Sequence, residues 1–279
     1  MTAPRSLAAT LALVVVPALA ATPQPSSPAA ETRLVLIGGG ARPAEAMARF
    51  VTWAGGAGAH VLVVPWASGE PKESCAALLA ELRSHHPAAA ECAPSAVLGR
   101  DGKAAPLDAA RAKAFLEALA RATGVFFAGG DQARVMDVLA DESLLAAVRV
   151  RHEAGVVFGG TSAGTAILSR TMITGDGDFT VIDGSKVGVR SGIGLLDGVI
   201  LDQHFVKRQR ENRLFGLVLA SPAERGVGID EATALLVTGG RQAEVVGSGL
   251  VVLVDAVGRD RLSITLLRPG QQFDLRQRP

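Results

Sequence analysis

The chain has 279 residues, of which 48% are hydrophobic and 20% charged, and its formal net charge is +1. This composition is that of a globular protein and excludes a disordered chain, which would carry fewer apolar residues and more net charge. The near-neutral balance provides no general attraction to nucleic acid or anionic lipid. Two cysteines and five scattered histidines form neither a disulfide-rich scaffold nor a metal-binding motif, so we expect no metal or other cofactor.

The first 31 residues differ from the rest of the chain. A short polar start with one arginine precedes an Ala/Leu/Val run that ends in small residues, which predicts a secretory signal peptide over 1–20. An uncleaved anchor or a misassigned start is the alternative, although the apolar run is short for a bilayer. Residues 21–31, rich in Pro, Ser and Ala, predict a flexible lead-in. We therefore expect export to the periplasm or the cell exterior, where Cys75 and Cys92 can form a disulfide if the fold brings them together.

From residue 32 onward, short apolar runs alternate with segments of helical spacing. The apolar runs predict strands at 34–37, 61–64, 125–127 and 156–158, and a weak strand at 96–98. The helical spacing predicts helices at 43–53, 74–85, 107–122, 131–139 and 143–153. Continuous apolar strands that alternate with helices indicate a mainly parallel sheet covered by helices on both faces.

The pattern changes after about residue 195. Short apolar runs separated by Gly or Asp turns occur at 199–201, 227–229, 234–237, 245–246, 250–254 and 262–267. Only one clear helix, predicted at 207–219, lies among them. These runs predict further strands, some of them antiparallel, toward the C-terminus. Because neither an internal repeat nor a second linker is visible, we expect one α/β domain over 32–279.

The sharpest motif is GTSAG at residues 160–164, which follows the predicted strand 156–158 and precedes a helical segment. This is G-x-S-x-G in the strand–turn–helix context that a nucleophile elbow requires, and it makes Ser162 a candidate nucleophile. Backbone N–H groups at the start of the following helix can stabilise an oxyanion at the same point. The alternative is a glycine-rich turn whose serine caps the helix.

A serine nucleophile needs a base, and His204 is the candidate. It lies among polar residues after the apolar run 199–201, and sites in α/β sheets assemble at strand ends. A carboxylate that orients the imidazole is then expected. Glu231 follows the run 227–229, whereas Asp202 shares a side with His204 in extended chain, and spacing alone leaves both open.

Basic residues crowd the segment just after His204. Arg208, Arg210 and Arg213 suit carboxylate recognition, because guanidinium groups bind carboxylates through two parallel hydrogen bonds. A solvated basic face is the alternative. The strand at 125–127 is followed by GGDQ, whose glycines can expose backbone donors to a substrate, or form a simple turn capped by Asp131.

Three segments together resemble one known family: FFAGGDQ at 126–132, GTSAGTA at 160–166 and DQHFVKRQRENRL at 202–214. They are similar to the signatures of cyanophycinases, serine peptidases grouped with aspartyl dipeptidase (peptidase E). The resemblance runs in order from about residue 33 to 268. It implies a fold like that of class I glutamine amidotransferases and a homodimer. It also implies cleavage of cyanophycin, a poly-aspartate with Arg on each β-carboxyl, to β-Asp-Arg dipeptides.

The resemblance also implies roles for individual residues. It makes Ser162 the nucleophile, His204 the general base and Glu231 the third triad member, with the backbone N–H groups of Gly130 and Ala163 as the oxyanion hole. It implies a substrate-binding set of Gln132, Asp202, Gln203, Arg208, Arg210 and Arg213. Carboxylates are needed for the arginyl side chains, and the candidates in the loop region after the nucleophile helix are Asp176, Asp178 and Asp183.

These observations together predict an exported serine peptidase that acts on cyanophycin. A related peptidase acting on other aspartyl or β-aspartyl peptides is the nearer alternative, and a non-catalytic peptide-binding protein is the more distant one. The expected partner is a peptide or polymer substrate, with no nucleic acid and no membrane once the signal peptide is removed.

Overall fold

A computed structural model describes residues 30–279 of the chain. The predicted signal peptide, 1–20, and residues 21–29 of the predicted lead-in lie outside the described residues. In the part described, no helix is both long enough and apolar enough to cross a membrane.

Strands and helices alternate through the first half of the described chain. The strands are β1 Arg33–Ile37, β2 His60–Val64, β3 Ala89–Cys92, β4 Gly124–Phe127, β5 Val157–Thr161, β6 Ser169–Gly177, β7 Val187–Ser191, β8 Leu196–Gln203, β9 Arg225–Ile229, β10 Thr233–Thr238, β11 Gln242–Gly247, β12 Val251–Gly258, β13 Arg261–Leu267 and β14 Gln272–Asp274. The α-helices are α1 Ala44–Trp53, α2 Pro71–Arg83, α3 Ala109–Arg121, α4 Gln132–Val138, α5 Glu142–Glu153, α6 Ala163–Ala166 and α7 Glu211–Ala220. Aspartates cap α3, α4 and α5, where each side chain accepts a hydrogen bond from an amide of the first turn.

The first sheet has eight strands in the order β14-β11-β10-β1-β5-β4-β2-β3. The five strands from β1 to β3 in that order run parallel, and β10, β11 and β14 extend the sheet in antiparallel fashion. Because β1, β4 and β5 are parallel neighbours, the segments that follow them meet at one edge of the sheet. Those segments begin at Gly38, Ala128 and Ser162.

The second sheet has six strands in the order β13-β12-β9-β8-β6-β7. Its central strands β6, β8 and β9 are parallel, and the flanking pairs are antiparallel. Gln203, the last residue of β8, pairs with Ile229, the last residue of β9. This register brings the residues that follow, His204 and Glu231, to the same point.

The hydrophobic core forms between and around the two sheets. Alternation along β1 sends Leu34 and Leu36 to one face and Val35 and Ile37 to the other, as the pleat of a strand requires. The Leu36 face shares its core with helices α3 to α6 and with the second sheet, whereas the Ile37 face is covered by α1 and α2. The outer face of the second sheet packs on α7. The described chain is therefore layered as helices, sheet, central helices with the second sheet, and α7.

The predicted α/β fold is confirmed, and the structure differs from the predictions in a few elements. No strand forms at 96–98, where only an isolated bridge joins Leu98 to Ala104; β3 lies earlier instead. Strands β6 and β7 were not predicted, because their glycines and charged residues break the apolar run. Helix α7 begins at Glu211 rather than 207, since the residues before it form turns in which Gln209 adopts a φ of 52°.

Cys75 and Cys92 form the disulfide that the sequence left open. Their Cα atoms are 6.2 Å apart, and their sequence separation is 17. The bond joins α2 to β3, the strand at one edge of the first sheet. It therefore anchors the edge strand to the helix that packs behind it.

Candidate active site

Ser162 lies at the sharp turn between β5 and α6. Its φ of 54° and ψ of −117° are strained for a residue with a side chain, a feature of nucleophile elbows. The flanking glycines are required there, because a Cβ on Gly160 would lie 2.2 Å from the Gly164 carbonyl oxygen. The Ser162 amide donates to the Ile37 carbonyl over 3.0 Å, which fixes the turn to the end of β1.

His204 follows β8 and contacts both a hydroxyl and a carboxylate. Its Nε2 lies 2.8 Å from Ser162 Oγ, and its Nδ1 lies 2.6 Å from Glu231 Oε1. When Nδ1 donates its proton to the carboxylate, Nε2 is left to accept the proton of the Ser162 hydroxyl. Ser162, His204 and Glu231 thus form one hydrogen-bonded chain, so the structure brings together the three side chains that the family resemblance implied.

The electrostatics favour a neutral imidazole. Burial lowers the pKa of His204 below its ordinary value, and the charges of Arg208 and Arg210 lower it further, while the Glu231 carboxylate opposes them. The hydrogen bond from His204 lowers the pKa of Glu231, which stays ionised at neutral pH. A neutral imidazole beside an ionised carboxylate is the protonation state in which His204 can act as a base.

A glycine loop that the sequence analysis did not single out supports this chain. Residues 38–40 are all glycine and follow β1; a Cβ on Gly39, whose φ is 110°, would lie 2.3 Å from the His204 ring. The Gly38 carbonyl accepts the His204 amide at 2.7 Å, and the Gly39 carbonyl accepts the Ala232 amide at 3.0 Å. A run of glycines directly after a buried strand is the signal that could have identified this loop.

Two backbone amides lie close to Ser162, one on the next residue of the chain and one on a residue that lines the same cavity. Ala163 begins α6, and Gly130 follows β4 with a φ of 139° at a place where a Cβ would lie 2.1 Å from the Ala67 carbonyl oxygen. Within residues 30–279, neither the Gly130 nor the Ala163 amide donates a hydrogen bond to a protein acceptor. Both amides can therefore donate to an oxyanion formed next to Ser162.

A cavity of about 310 Å³ opens beside Ser162. Three arginines form one part of the lining, the arginine wall, and the start of α4 and three residues of β6, Thr174, Gly175 and Asp176, contribute other parts. The complete lining is Gly130, Asp131, Gln132, Ala133, Ser162, Thr174, Gly175, Asp176, Gln203, Arg208, Arg210 and Arg213.

Asp202 contacts two residues of the arginine wall and holds them in place. Asp202 is fully buried and forms a bidentate ion pair with Arg213, and it lies 3.7 Å from Arg210. Burial raises the pKa of Asp202, and the Arg213 pair opposes that shift. Arg210, which donates to the Gln203 carbonyl at 2.7 Å, has its pKa lowered to about 10 by burial and by Arg213, and it stays charged at neutral pH.

The residues of the predicted binding set differ in whether they line the cavity and in what their side chains contact. Arg208, Arg210, Arg213 and Gln203 line the cavity, whereas Asp202 is not part of the lining and is bonded to Arg213. Gln132 also lines the cavity, but its amide group donates to the Ile173 and Thr174 carbonyls at 2.8 and 2.9 Å. The role found for Asp202 and Gln132 is therefore to hold parts of the wall.

Of the three candidate loop carboxylates, one lines the cavity and two do not. Asp176 lines the cavity, whereas Asp178 and Asp183 are not part of its lining. Asp178 accepts hydrogen bonds from Thr180, and Asp183 accepts them from Ser185. In the described residues no group of His, Cys, Asp and Glu side chains is arranged to hold a metal ion.

This arrangement can carry out acyl transfer, because a serine is hydrogen-bonded to a neutral imidazole, a carboxylate is bonded to the same imidazole, and two backbone amides lie nearby. This combination of fold and site is that of a serine hydrolase. The chain belongs to peptidase family S51, whose model matches residues 34–245.

The curated relatives similar to this chain include two cyanophycinases. The cyanophycinase of Nostoc sp. (strain PCC 7120) is 40% identical over 149 residues, which cover 53% of this chain and 49% of the relative. The cyanophycinase of Geminocystis herdmanii is 32% identical over 229 residues, which cover 79% of this chain and 80% of the relative. The chain thus matches about half the length of the first relative and four fifths of the second.

A solved structure shows the same fold. The crystal structure of a peptidase from an acI-B1 Actinobacterium superposes with a TM-score of 0.63 and 20% sequence identity. The match covers 87% of this chain and 96% of that one. At this identity the likeness concerns the fold alone, and it agrees with the α/β architecture expected from the sequence.

Proposed function

We propose that the chain is an exported serine peptidase that hydrolyses cyanophycin to β-Asp-Arg dipeptides. The observation that carries the proposal is the hydrogen-bonded chain Ser162–His204–Glu231 beside a cavity lined by both arginines and carboxylates. A polymer with both carboxylates and guanidinium groups complements such a cavity. Similarity to curated cyanophycinases supports the substrate class.

In the proposed mechanism, Ser162 Oγ attacks the carbonyl carbon of an aspartyl peptide bond. His204 Nε2 accepts the hydroxyl proton and then gives it to the leaving amine, so that the amine departs neutral and an acyl-enzyme remains. A water molecule then attacks the ester carbonyl and loses its proton to His204, and Ser162 leaves with that proton. Glu231 holds His204 in the required tautomer and stabilises the imidazolium.

The oxyanion that forms in both steps would accept hydrogen bonds from the Gly130 and Ala163 amides. The arginine wall, made of Arg208, Arg210 and Arg213, would bind substrate carboxylates. Asp202 contributes through Arg213, because removing one partner of a buried ion pair leaves the other charge uncompensated.

Export rests on two observations. The N-terminal pattern over 1–20 is that of a signal peptide, and the Cys75–Cys92 disulfide suits an oxidising compartment. An exported enzyme would act on polymer released by other cells. The homodimer implied by the family resemblance stays a prediction.

The test is a digest of cyanophycin by the mature chain, residues 21–279, alongside Ser162→Ala. We expect mass spectrometry to find β-Asp-Arg with the wild type, and activity to fall by at least about a thousandfold in the variant, because the nucleophile is removed. Product release by Ser162→Ala in a clean preparation would contradict the assignment of the nucleophile.

A fluorophosphonate probe separates the remaining alternatives, since it labels only an activated serine. Labelling of Ser162 without cleavage of cyanophycin would indicate a hydrolase with another substrate, and a panel of Asp-X and β-Asp-X peptides would then be assayed. A folded wild-type protein with neither labelling nor cleavage would indicate a binding protein and overturn the proposal.

A further inference from the structure

We infer that Asp176 selects a cationic side chain in the substrate and that a β-bulge in β6 aims it into the cavity. This inference rests on the proposed function and adds a specificity-determining residue to it. It is carried by the backbone irregularity at residues 174–176, by the contacts that hold it, and by the arginines that line the same cavity.

The bulge is visible in the pairing of β6 with β7. Ile173 pairs with Val189 and Gly177 pairs with Val187, so three residues of β6 face the single residue Gly188. Gly188 leaves the room that this needs, because a Cβ there would lie 2.5 Å from Thr174 Oγ1. Bulges next to active sites redirect side chains. Here the inserted segment, 174–176, is the part of β6 that lines the cavity.

Gln132 fixes the bulge to the oxyanion side of the cavity. It is 6% exposed, it follows Gly130 by two residues, and its Nε2 donates to both the Ile173 and the Thr174 carbonyls. These bonds connect the start of α4 in one half of the molecule to β6 in the other. Gln132 is thus a positioning residue, because its two hydrogen bonds fix the position of the Asp176 segment relative to Gly130.

The Asp176 carboxylate has no cationic partner of its own. It accepts a hydrogen bond from Thr174 Oγ1 at 3.1 Å, and among the ion pairs within residues 30–279 none includes Asp176. Asp131, the other carboxylate of the lining, is engaged: it caps α4 and lies 3.7 Å from Arg134. Asp176 is therefore the carboxylate of the cavity whose charge is left for a ligand.

The lining of the cavity carries both signs of charge. Arg208, Arg210 and Arg213 line it together with Asp176. A ligand that complements both kinds of group carries an anion and a cation, as an aspartyl unit bearing an arginyl side chain does. A neutral side chain of the same shape would satisfy only the arginine wall, and its complex would lose the charge-assisted hydrogen bond to Asp176.

The experiment compares two synthetic oligomers, (β-Asp-Arg)₃ and the same chain with citrulline in place of each arginine. Citrulline keeps the shape of arginine and removes its charge. We expect the wild type to prefer the arginine oligomer in kcat/KM, and Asp176→Asn to reduce that preference roughly five- to tenfold. Asp176→Glu, which keeps the charge, should restore most of it. Asp178→Asn, a neighbouring carboxylate outside the lining, should leave the preference unchanged.

The folding of each variant is checked by the rate at which a small fluorophosphonate labels Ser162, a reaction that does not use Asp176. If Asp176→Asn fails this check, Asp176→Ser takes its place. If Asp176→Asn is labelled normally and still prefers the arginine oligomer to the citrulline oligomer as strongly as the wild type does, the inference is overturned. The proposed function is unaffected by that result. A wild type that labels but cleaves neither oligomer removes the proposed function, and the inference with it.

Discussion

At the scale of single residues, the environment of His204 would decide, in the proposed mechanism, when Ser162 is activated. Burial and the charges of Arg208 and Arg210 disfavour the imidazolium, whereas Glu231 favours it. The same arginines that form the proposed carboxylate-binding wall therefore keep the base neutral. A substrate carboxylate that neutralised them would raise the pKa of His204 and make it a stronger base, so binding and proton transfer are coupled.

This coupling predicts the pH dependence of Ser162 labelling. Because the base must be neutral, the labelling rate should rise with pH as His204 loses its proton, with a midpoint below the ordinary histidine value of about 6.5. Arg208→Gln removes one charge that lowers the pKa of His204, so the midpoint should move to higher pH. The measurement is the rate of labelling by a small fluorophosphonate across the range from acidic to mildly alkaline pH, in steps fine enough to resolve one titration.

The matched control is Lys113→Gln, which removes one exposed charge on α3 and is not among the groups that influence His204. Its midpoint should equal that of the wild type. Because Arg208 is exposed, salt should screen its effect on the pKa of His204. Added salt should therefore reduce the difference in labelling midpoint between Arg208→Gln and the wild type. A midpoint that moves to lower pH in Arg208→Gln would contradict the electrostatic account.

At the scale of elements, the Cys75–Cys92 bond stabilises the edge of the first sheet. Because it closes a loop of 17 residues, its removal should lower the free energy of unfolding by about 3 kcal/mol. The variant is the double substitution Cys75→Ala with Cys92→Ala, and the measurement is urea unfolding against the oxidised wild type.

The disulfide should affect stability without affecting the site. Strands β4 and β2 separate β3 from β5, which leads to Ser162. Ser162 in the folded double variant should therefore label at the wild-type rate. A slower rate under conditions where the variant is fully folded would show that the edge strand influences the site after all.

The elements that the sequence predicted well are those whose signal is local. The buried strands β1, β2, β4 and β5 are continuous apolar runs, and the residues that follow β5, β8 and β9 supplied the three side chains of the hydrogen-bonded chain. By contrast, β3 reads AAEC, without a β-branched residue, and β6 ends in glycines and an aspartate. Such strands are formed by their pairing partners, which the local sequence does not reveal.

The structural roles of Asp202 and Gln132 also could not be predicted from the local sequence. The partner of Asp202 is Arg213, 11 residues away across a turn, and the partners of Gln132 are 41 and 42 residues away. Polar motifs indicate which residues gather at the site. Which of them face the cavity and which support it depends on long-range packing.

At the scale of the whole molecule, the proposed site exists only where the two sheets meet. Ser162 follows a strand of the first sheet, His204 and Glu231 follow strands of the second, and the Gly38 carbonyl at the end of β1 accepts the His204 amide. The largest cluster of buried side chains includes Leu36 from the first sheet and Leu201 from the second. A core shared in this way predicts that the sheets unfold together, as expected of one domain.

Both tryptophans report on the first sheet: Trp53 is in α1 and Trp66 follows β2. Their fluorescence should therefore follow the same urea transition as far-UV circular dichroism, which reports on both sheets. Ile200→Ala, in the buried outer face of the second sheet, should destabilise the protein by about 2–5 kcal/mol. If the two sheets unfold as one domain, the cavity that Ile200→Ala leaves in the second sheet lowers the urea midpoint followed by fluorescence as much as the midpoint followed by circular dichroism. A fluorescence midpoint that stays at the wild-type position would mean that the first sheet folds alone, and that the site is assembled between two independently stable halves.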